Sequence, residues 1–189
     1  MNFLAQFRAA PNLLTLMRLF IIPFLVIAIL DSQYHLAFAL FVLAGFSDGF
    51  DGLLARVLSQ HTRLGQYLDP IADKLLLSTL FLVLTHMDLV PRYVTVLVFS
   101  RDLGILLIST LLFATGTLKD FRPSRLGKLN TLVQILGVTL ILFNQVWPLV
   151  GAALLRGLLR SIAVLAPLSA AQYAWIVFRR VSANQQPAA

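Results

Sequence analysis

Leu68-Asp69-Pro70-Ile71-Ala72-Asp73-Lys74-Leu75-Leu76-Leu77-Ser78-Thr79-Leu80-Phe81-Leu82-Val83-Leu84 carries two carboxylates into a run with no charge from Leu75 to Leu84. Such a run reads as a helix crossing a bilayer, with the acids at one of its ends. Leu19 to Leu30 and Val94 to Leu112 are two further runs nearly free of charge. Of 189 residues, 59% are hydrophobic and 12% charged, and the mean hydropathy is +0.86. A soluble domain of this length needs a charged exterior that this chain does not have, so its main solvent is lipid.

Six spans follow, at about 13–30, 35–58, 66–86, 92–115, 127–144 and 158–178, in one all-α integral membrane domain over residues 1–180. Phe3, Leu4, Phe7 and Arg8 suit a short N-terminal interfacial helix leading to Pro11, and 181–189 reads as a short disordered tail. No small-residue cleavage site follows the first apolar stretch, so a removable leader is not expected. The absence of cysteine excludes disulfides and thiolate metal sites.

Charge orients the spans. Arg8, Arg56, Arg63, Lys119, Arg122, Arg125, Lys128, Arg179 and Arg180 fall on one side, whereas the opposite connections offer mainly Arg92 beside Asp88. Both termini are therefore expected in the cytoplasm, as in a multi-pass protein of a bacterial inner membrane. Arg156 and Arg160 fit either an interfacial helix on the far side or the start of the last span. The net charge of +7 lies between apolar spans, where it meets anionic head groups rather than nucleic acid.

All eight acidic residues are aspartate, and four of them are Asp48, Asp51, Asp69 and Asp73. Spacings of three and four put each pair on one helix face, and a hairpin of the second and third spans brings the pairs together. Crowded carboxylates in a partly dry site would be driven to their neutral forms unless cations offset them. All-oxygen ligands favour Mg²⁺ or Mn²⁺ over zinc, and two such ions can clamp a reacting phosphate. Ion pairs with Arg56, Arg63, Lys74 and Arg101, or a cation transport pathway, are competing uses of the same acids. Gly45, Gly49 and Gly52, spaced for close helix packing or close ligand approach, argue against both. A transporter also predicts a polar path, yet the outer halves of the spans are almost wholly apolar.

Asp48, Asp51, Gly52, Ala55, Arg56, Gly65, Asp69 and Asp73 match D-x2-D-G-x2-A-R-x8-G-x3-D-x3-D without departure. The chain thereby resembles the CDP-alcohol phosphotransferase family, and Pro11-Asn12-Leu13-Leu14-Thr15-Leu16-Met17-Arg18 is similar to the first-helix motif of its phospholipid-making members. The resemblance implies an active site at the cytoplasmic end of the bundle, where CDP-diacylglycerol binds with its pyrophosphate on metal. It implies Asp48, Asp51, Asp69 and Asp73 as ligands of Mg²⁺ or Mn²⁺, and Asp73 also as general base. Gly52 and Gly65 are implied on the cytidine side and Arg56 at the pyrophosphate, with Asn12 and Thr15 beside them. It also implies a homodimer.

Arg101, Arg125, Lys128 and Asn130 are the expected acceptor-binding residues. The stretch 123–134 resembles two branches, one making phosphatidylglycerophosphate and one making cardiolipin. The first usually reads G-K-x-K-T-x2-Q and carries an Arg-Glu pair in the fourth span. Here Asn130 replaces the second lysine and Arg101-Asp102 replaces the pair, departures that look more like the cardiolipin branch. Charge agrees, because glycerol 3-phosphate carries nearly two negative charges and phosphatidylglycerol one.

Overall fold

The computed structural model describes residues 10–58, 63–114 and 125–184, with side chains for 15–47, 72–111, 125–179 and 181. These residues form six helices and no strand: α1 (Ala10–Leu30), α2 (Tyr34–Leu58), α3 (Arg63–His86), α4 (Arg92–Ala114), α5 (Arg125–Val146) and α6 (Ala152–Asn184). Each expected span coincides with one of them. The expected interfacial segment before residue 10 lies outside the described residues, as do 59–62, 115–124 and 185–189. By length and composition, Arg92–Leu111, Arg125–Val146 and Ala152–Arg179 can cross a membrane, and the apolar parts Thr15–Leu30 of α1 and Tyr34–Ser47 of α2 are shorter.

The chain falls into two compact units, residues 1–89 with 139–149, and residues 90–138 with 150–189. In the first, α1 packs against both α2 and α3. Its inward stripe is Thr15, Arg18, Ile21, Leu25, Ala28 and Ile29, all buried at helical spacing. Among the described side chains, Ala37, Phe41, Ala44 and Ser47 of α2 and Ala72, Leu76, Leu77, Leu80, Phe81 and Leu84 of α3 are buried. The start of α2 meets the last turns of α5 through aromatic rings. Phe38 lies 6.0 Å from Phe143 and 5.9 Å from Trp147, and His35 lies edge-on to Trp147 at 6.2 Å.

Two turns of this unit close without glycine. After α1, the Ala28 carbonyl accepts from the Gln33 N–H at 2.8 Å and the Ile29 carbonyl from the Ser32 N–H at 3.0 Å. After α3, Leu84 accepts from Leu89 at 2.9 Å and Thr85 from Asp88 at 3.1 Å. Both are Schellman caps, with Ser32 at φ 56° and Asp88 at φ 57° in the left-handed position.

In the second unit α6 is the common partner. Leu159, Ile162, Ala166, Ser169 and Tyr173 form its buried stripe, and α4 packs along it. Ser109 of α4 and Tyr173 share a hydrogen bond of 2.6 Å, and Gln172 Oε1 accepts from the Leu126 N–H in the first turn of α5 at 3.3 Å. Gly137 of α5 sits so close to α6 that a Cβ there would lie 2.8 Å from Ile162 Cδ1. Arg156 and Arg160 lie within α6, which begins six residues before the expected span and continues through Pro167. The Gly151 carbonyl starts it, accepting from Leu154 at 3.0 Å.

Candidate functional site

The apolar stripe of α1 turns polar toward its N-terminal end, where Thr15 is fully buried and Arg18 is only 1% exposed. One helical turn separates them. Arg18 forms an ion pair with Asp73 of α3, Nη1 donating to Oδ1. The side chain of Asp73 is 45% exposed, so a carboxylate open to ligands is held by a cation sealed in the core. Asp73 shares its face of α3 with Leu77, Leu80 and Leu84 at helical spacing, which is how an apolar stripe brings one acid to the inner side.

By residue count the other acids lie at similar distances along their helices from the 59–62 connection. Asp48 on α2 and Asp73 on α3 each lie ten residues from the helix ends, Leu58 and Arg63, that their connection joins. Asp51 and Asp69 lie seven and six residues from the same ends. At 1.5 Å per residue the outer pair sits about 15 Å along its helices and the inner pair about 10 Å. The helical repeat that buries Ala37, Phe41 and Ala44 also carries that face of α2 through positions 48 and 51. Ser47, one residue before Asp48, turns its hydroxyl back to the Leu43 carbonyl at 2.9 Å. The side chains of Asn12, Asp48, Asp51, Gly52, Arg56, Gly65 and Asp69 lie outside the described residues.

Of the glycines expected to permit close packing, Gly45 faces open space, because a Cβ there would meet nothing within 4 Å. The spacing marks a face of α2 without saying where that face points. Gly49 and Gly52 are outside the described side chains.

The residues expected to receive the acceptor belong to the second unit. Arg101 of α4 is buried, with Nε donating to Ser169 Oγ at 3.0 Å and Nη1 paired with the neighbouring, equally buried Asp102. Asn130 of α5 is fully buried, and neither Oδ1 nor Nδ2 has a hydrogen-bond partner among the described residues. One turn on, Gln134 is buried with its Nε2 in the same condition. Arg125 and Lys128, in the first turns of α5, are exposed. The structure therefore splits the expected acceptor set into a buried polar group, Arg101 and Asn130, and an exposed basic pair.

Sequence reasoning passed over Ser169 and took Arg18 and Gln134 only as the last residues of the strings at 11–18 and 123–134. For Arg18 a signal existed, because an arginine inside an apolar run needs a partner. No local pattern ties position 18 to position 73. Ser169 carried no signal, since a lone serine in an apolar helix is unremarkable until its neighbour is known.

The chain is 35% identical over 147 residues to the cardiolipin synthase (CMP-forming) of Rattus norvegicus, a match covering 67% of this chain and 47% of that protein. It is 35% identical over 148 residues to the probable phosphatidylglycerophosphate synthase of Mycobacterium tuberculosis, covering 75% and 69%. With the CDP-diacylglycerol–glycerol-3-phosphate 3-phosphatidyltransferase of Bacillus subtilis the identity is 34% over 150 residues, covering 71% and 77%. The match thus spans about half the length of the rat relative and more than two thirds of the bacterial ones. Residues 8–175, which include all four aspartates and Arg18, match the family as a whole, and the chain belongs to the CDP-alcohol phosphatidyltransferase family.

Proposed function

We propose that this helical membrane protein transfers a phosphatidyl group from CDP-diacylglycerol to phosphatidylglycerol, releasing CMP and forming cardiolipin. The observation that carries the reaction class is Asp73, an accessible carboxylate of the family motif held from the core by Arg18. The acceptor hydroxyl oxygen attacks the phosphatidyl phosphorus as the bond from that phosphorus to the bridging oxygen breaks. CMP leaves with the electron pair, and the hydroxyl proton passes to Asp73 acting as general base.

The donor set fits a hard divalent cation: Asp48, Asp51, Asp69 and Asp73 offer only oxygen, and Asp73 is half exposed on the helix that carries two of them. These four would hold Mg²⁺ or Mn²⁺, two ions by charge, and bound metal would offset negative charge on the pyrophosphate and the departing CMP. Arg56 adds a further positive charge for the pyrophosphate. Gly52 and Gly65 leave room for the cytidine, and Asn12 and Thr15 belong to the same donor site.

For the acceptor, the buried polar group of the second unit supports phosphatidylglycerol. Arg101 is paired with Asp102, so the two together bring no net charge. Asn130 brings an uncharged amide where a lysine would serve a phosphomonoester. Glycerol 3-phosphate is the second reading, favoured by the exposed Arg125 and Lys128. Six spans, a cytoplasmic site, cytoplasmic termini and a homodimer complete the proposal.

Purified protein given CDP-diacylglycerol, Mg²⁺ or Mn²⁺, and both acceptors in competition provides the test. CMP release that stops on chelation, with cardiolipin as product, is expected. Phosphatidylglycerophosphate as the sole product overturns the acceptor assignment, and metal-independent release overturns the role given to the aspartates.

A further inference from the structure

We propose that Arg18 is the positioning residue for Asp73, and this rests on the phosphatidyl-transfer reading above. Arg18 heads the largest fully buried side chains among the described residues, at 1% exposure, in a helix that is otherwise apolar from Leu19 to Leu30. Burying a guanidinium is costly, and a buried ion pair seldom makes a fold more stable than well-packed apolar side chains would. Stability alone therefore gives a poor reason for an arginine here. The asymmetry of the pair gives a better one, since the cation is sealed and its carboxylate partner is 45% exposed. Arg18 lies on the buried α1 stripe that also carries Thr15, Ile21 and Leu25, on the helix that packs against both α2 and α3.

A guanidinium fixed in that way orients what it binds. It is planar, charged at every accessible pH, and presents its donors in a rigid fork. Asp73 has two side-chain torsions of its own, and a carboxylate that accepts a proton during attack must face the attacking oxygen within hydrogen-bond reach. By holding Oδ1, Arg18 selects one orientation of Asp73 before substrate arrives. Arg18 touches neither donor nor acceptor in this account and acts on the reaction through Asp73.

The test is a double-mutant cycle on the full-length chain in lipid nanodiscs, with CMP release as the readout. Arg18→Gln is expected to lower kcat by about 100-fold with the KM for CDP-diacylglycerol within about threefold, the pattern of an interaction that matters in the transition state. Arg18→Lys, which keeps the charge and loses the fork, is expected to recover about a tenth of wild-type kcat. On an Asp73→Asn background, Arg18→Gln is expected to cost less than about twofold, because residues acting as a unit are not additive. Full additivity, an unchanged kcat in both single variants, or a rise in donor KM without loss of kcat overturns the proposal. Thermal unfolding and monodisperse elution check that each variant folds, and if the glutamine variant does not, the lysine variant carries the same cycle. Wild-type protein that releases no CMP overturns the transfer reading itself and this inference with it. Active wild type with an indifferent Arg18 overturns this inference alone.

Discussion

Asn130 concentrates a conflict between stability and use. Its amide is fully buried on α5 with neither polar atom satisfied by the described residues, and a buried polar group in that condition costs about 1–3 kcal/mol. Leucine has the same branched skeleton and no such cost, although its bulkier methyl groups take back part of the gain. Asn130→Leu is therefore expected to raise stability by about 1–2 kcal/mol, seen as a higher thermal midpoint in detergent. If the amide receives the acceptor, the same variant raises acceptor KM at least about tenfold while leaving donor KM unchanged, a loss typical of a site that hydrogen-bonds a hydroxyl. A stability gain with unchanged acceptor KM would remove Asn130 from the acceptor site. At this scale the sequence told chemistry better than partnership. The four aspartates were legible as residue types in a costly place and Asn130 as a departure from the resembled string, but the pairing of Arg18 with Asp73 across 55 residues was not. Nor was Gly137, whose closeness to Ile162 depends on how α5 and α6 meet, more legible than Gly45, which the spacing singled out and open space surrounds.

The six helices were legible because apolar run length in a lipid-dissolved chain is a strong signal, whereas their ends depend on single hydrogen bonds. α6 shows the difference. Its apolar centre was recognisable, but the Gly151 carbonyl begins the helix at Ala152 and draws Arg156 and Arg160 into it. The caps after α1 and α3 were not legible either, since Ser32 and Asp88 stand where glycine is the usual signal. A side chain at positive φ costs roughly 1–2 kcal/mol, with aspartate better tolerated than serine. Ser32→Gly is thus expected to stabilise the protein by about 0.5–1 kcal/mol, and Asp88→Gly by less. Paired thermal or denaturant unfolding of the two variants measures it. A destabilised Ser32→Gly would mean that the hydroxyl itself holds the turn.

The turns at residues 31–33, 87–91 and 147–151 fall at alternate helix ends from the connections at 59–62 and 115–124, so the six spans proposed above would put them on opposite sides of the bilayer. α6 supplies a ruler for this arrangement. Arg160 and Arg179 are nineteen residues apart on one helix, or about 28 Å at 1.5 Å per residue, against a hydrocarbon core of about 30 Å. In the proposed topology the two arginines would bracket the last span, Arg160 nearer one head-group region and Arg179, over the Trp175 ring at 5.8 Å, nearer the other. The positive-inside bias predicts that the Arg179 end faces the cytoplasm, the side proposed above for the four aspartates and the CDP-linked donor. A chain with no cysteine makes the arrangement directly measurable. Single cysteines at the exposed positions Asp88, Leu149 and Arg179 can be probed with a membrane-impermeant maleimide on right-side-out membranes. Asp88→Cys and Leu149→Cys are expected to label at once, and Arg179→Cys only after permeabilisation. Labelling of all three from one side would break the six-span order, and early labelling of Arg179→Cys alone would invert it and place the aspartates on the wrong face for a cytoplasmic donor.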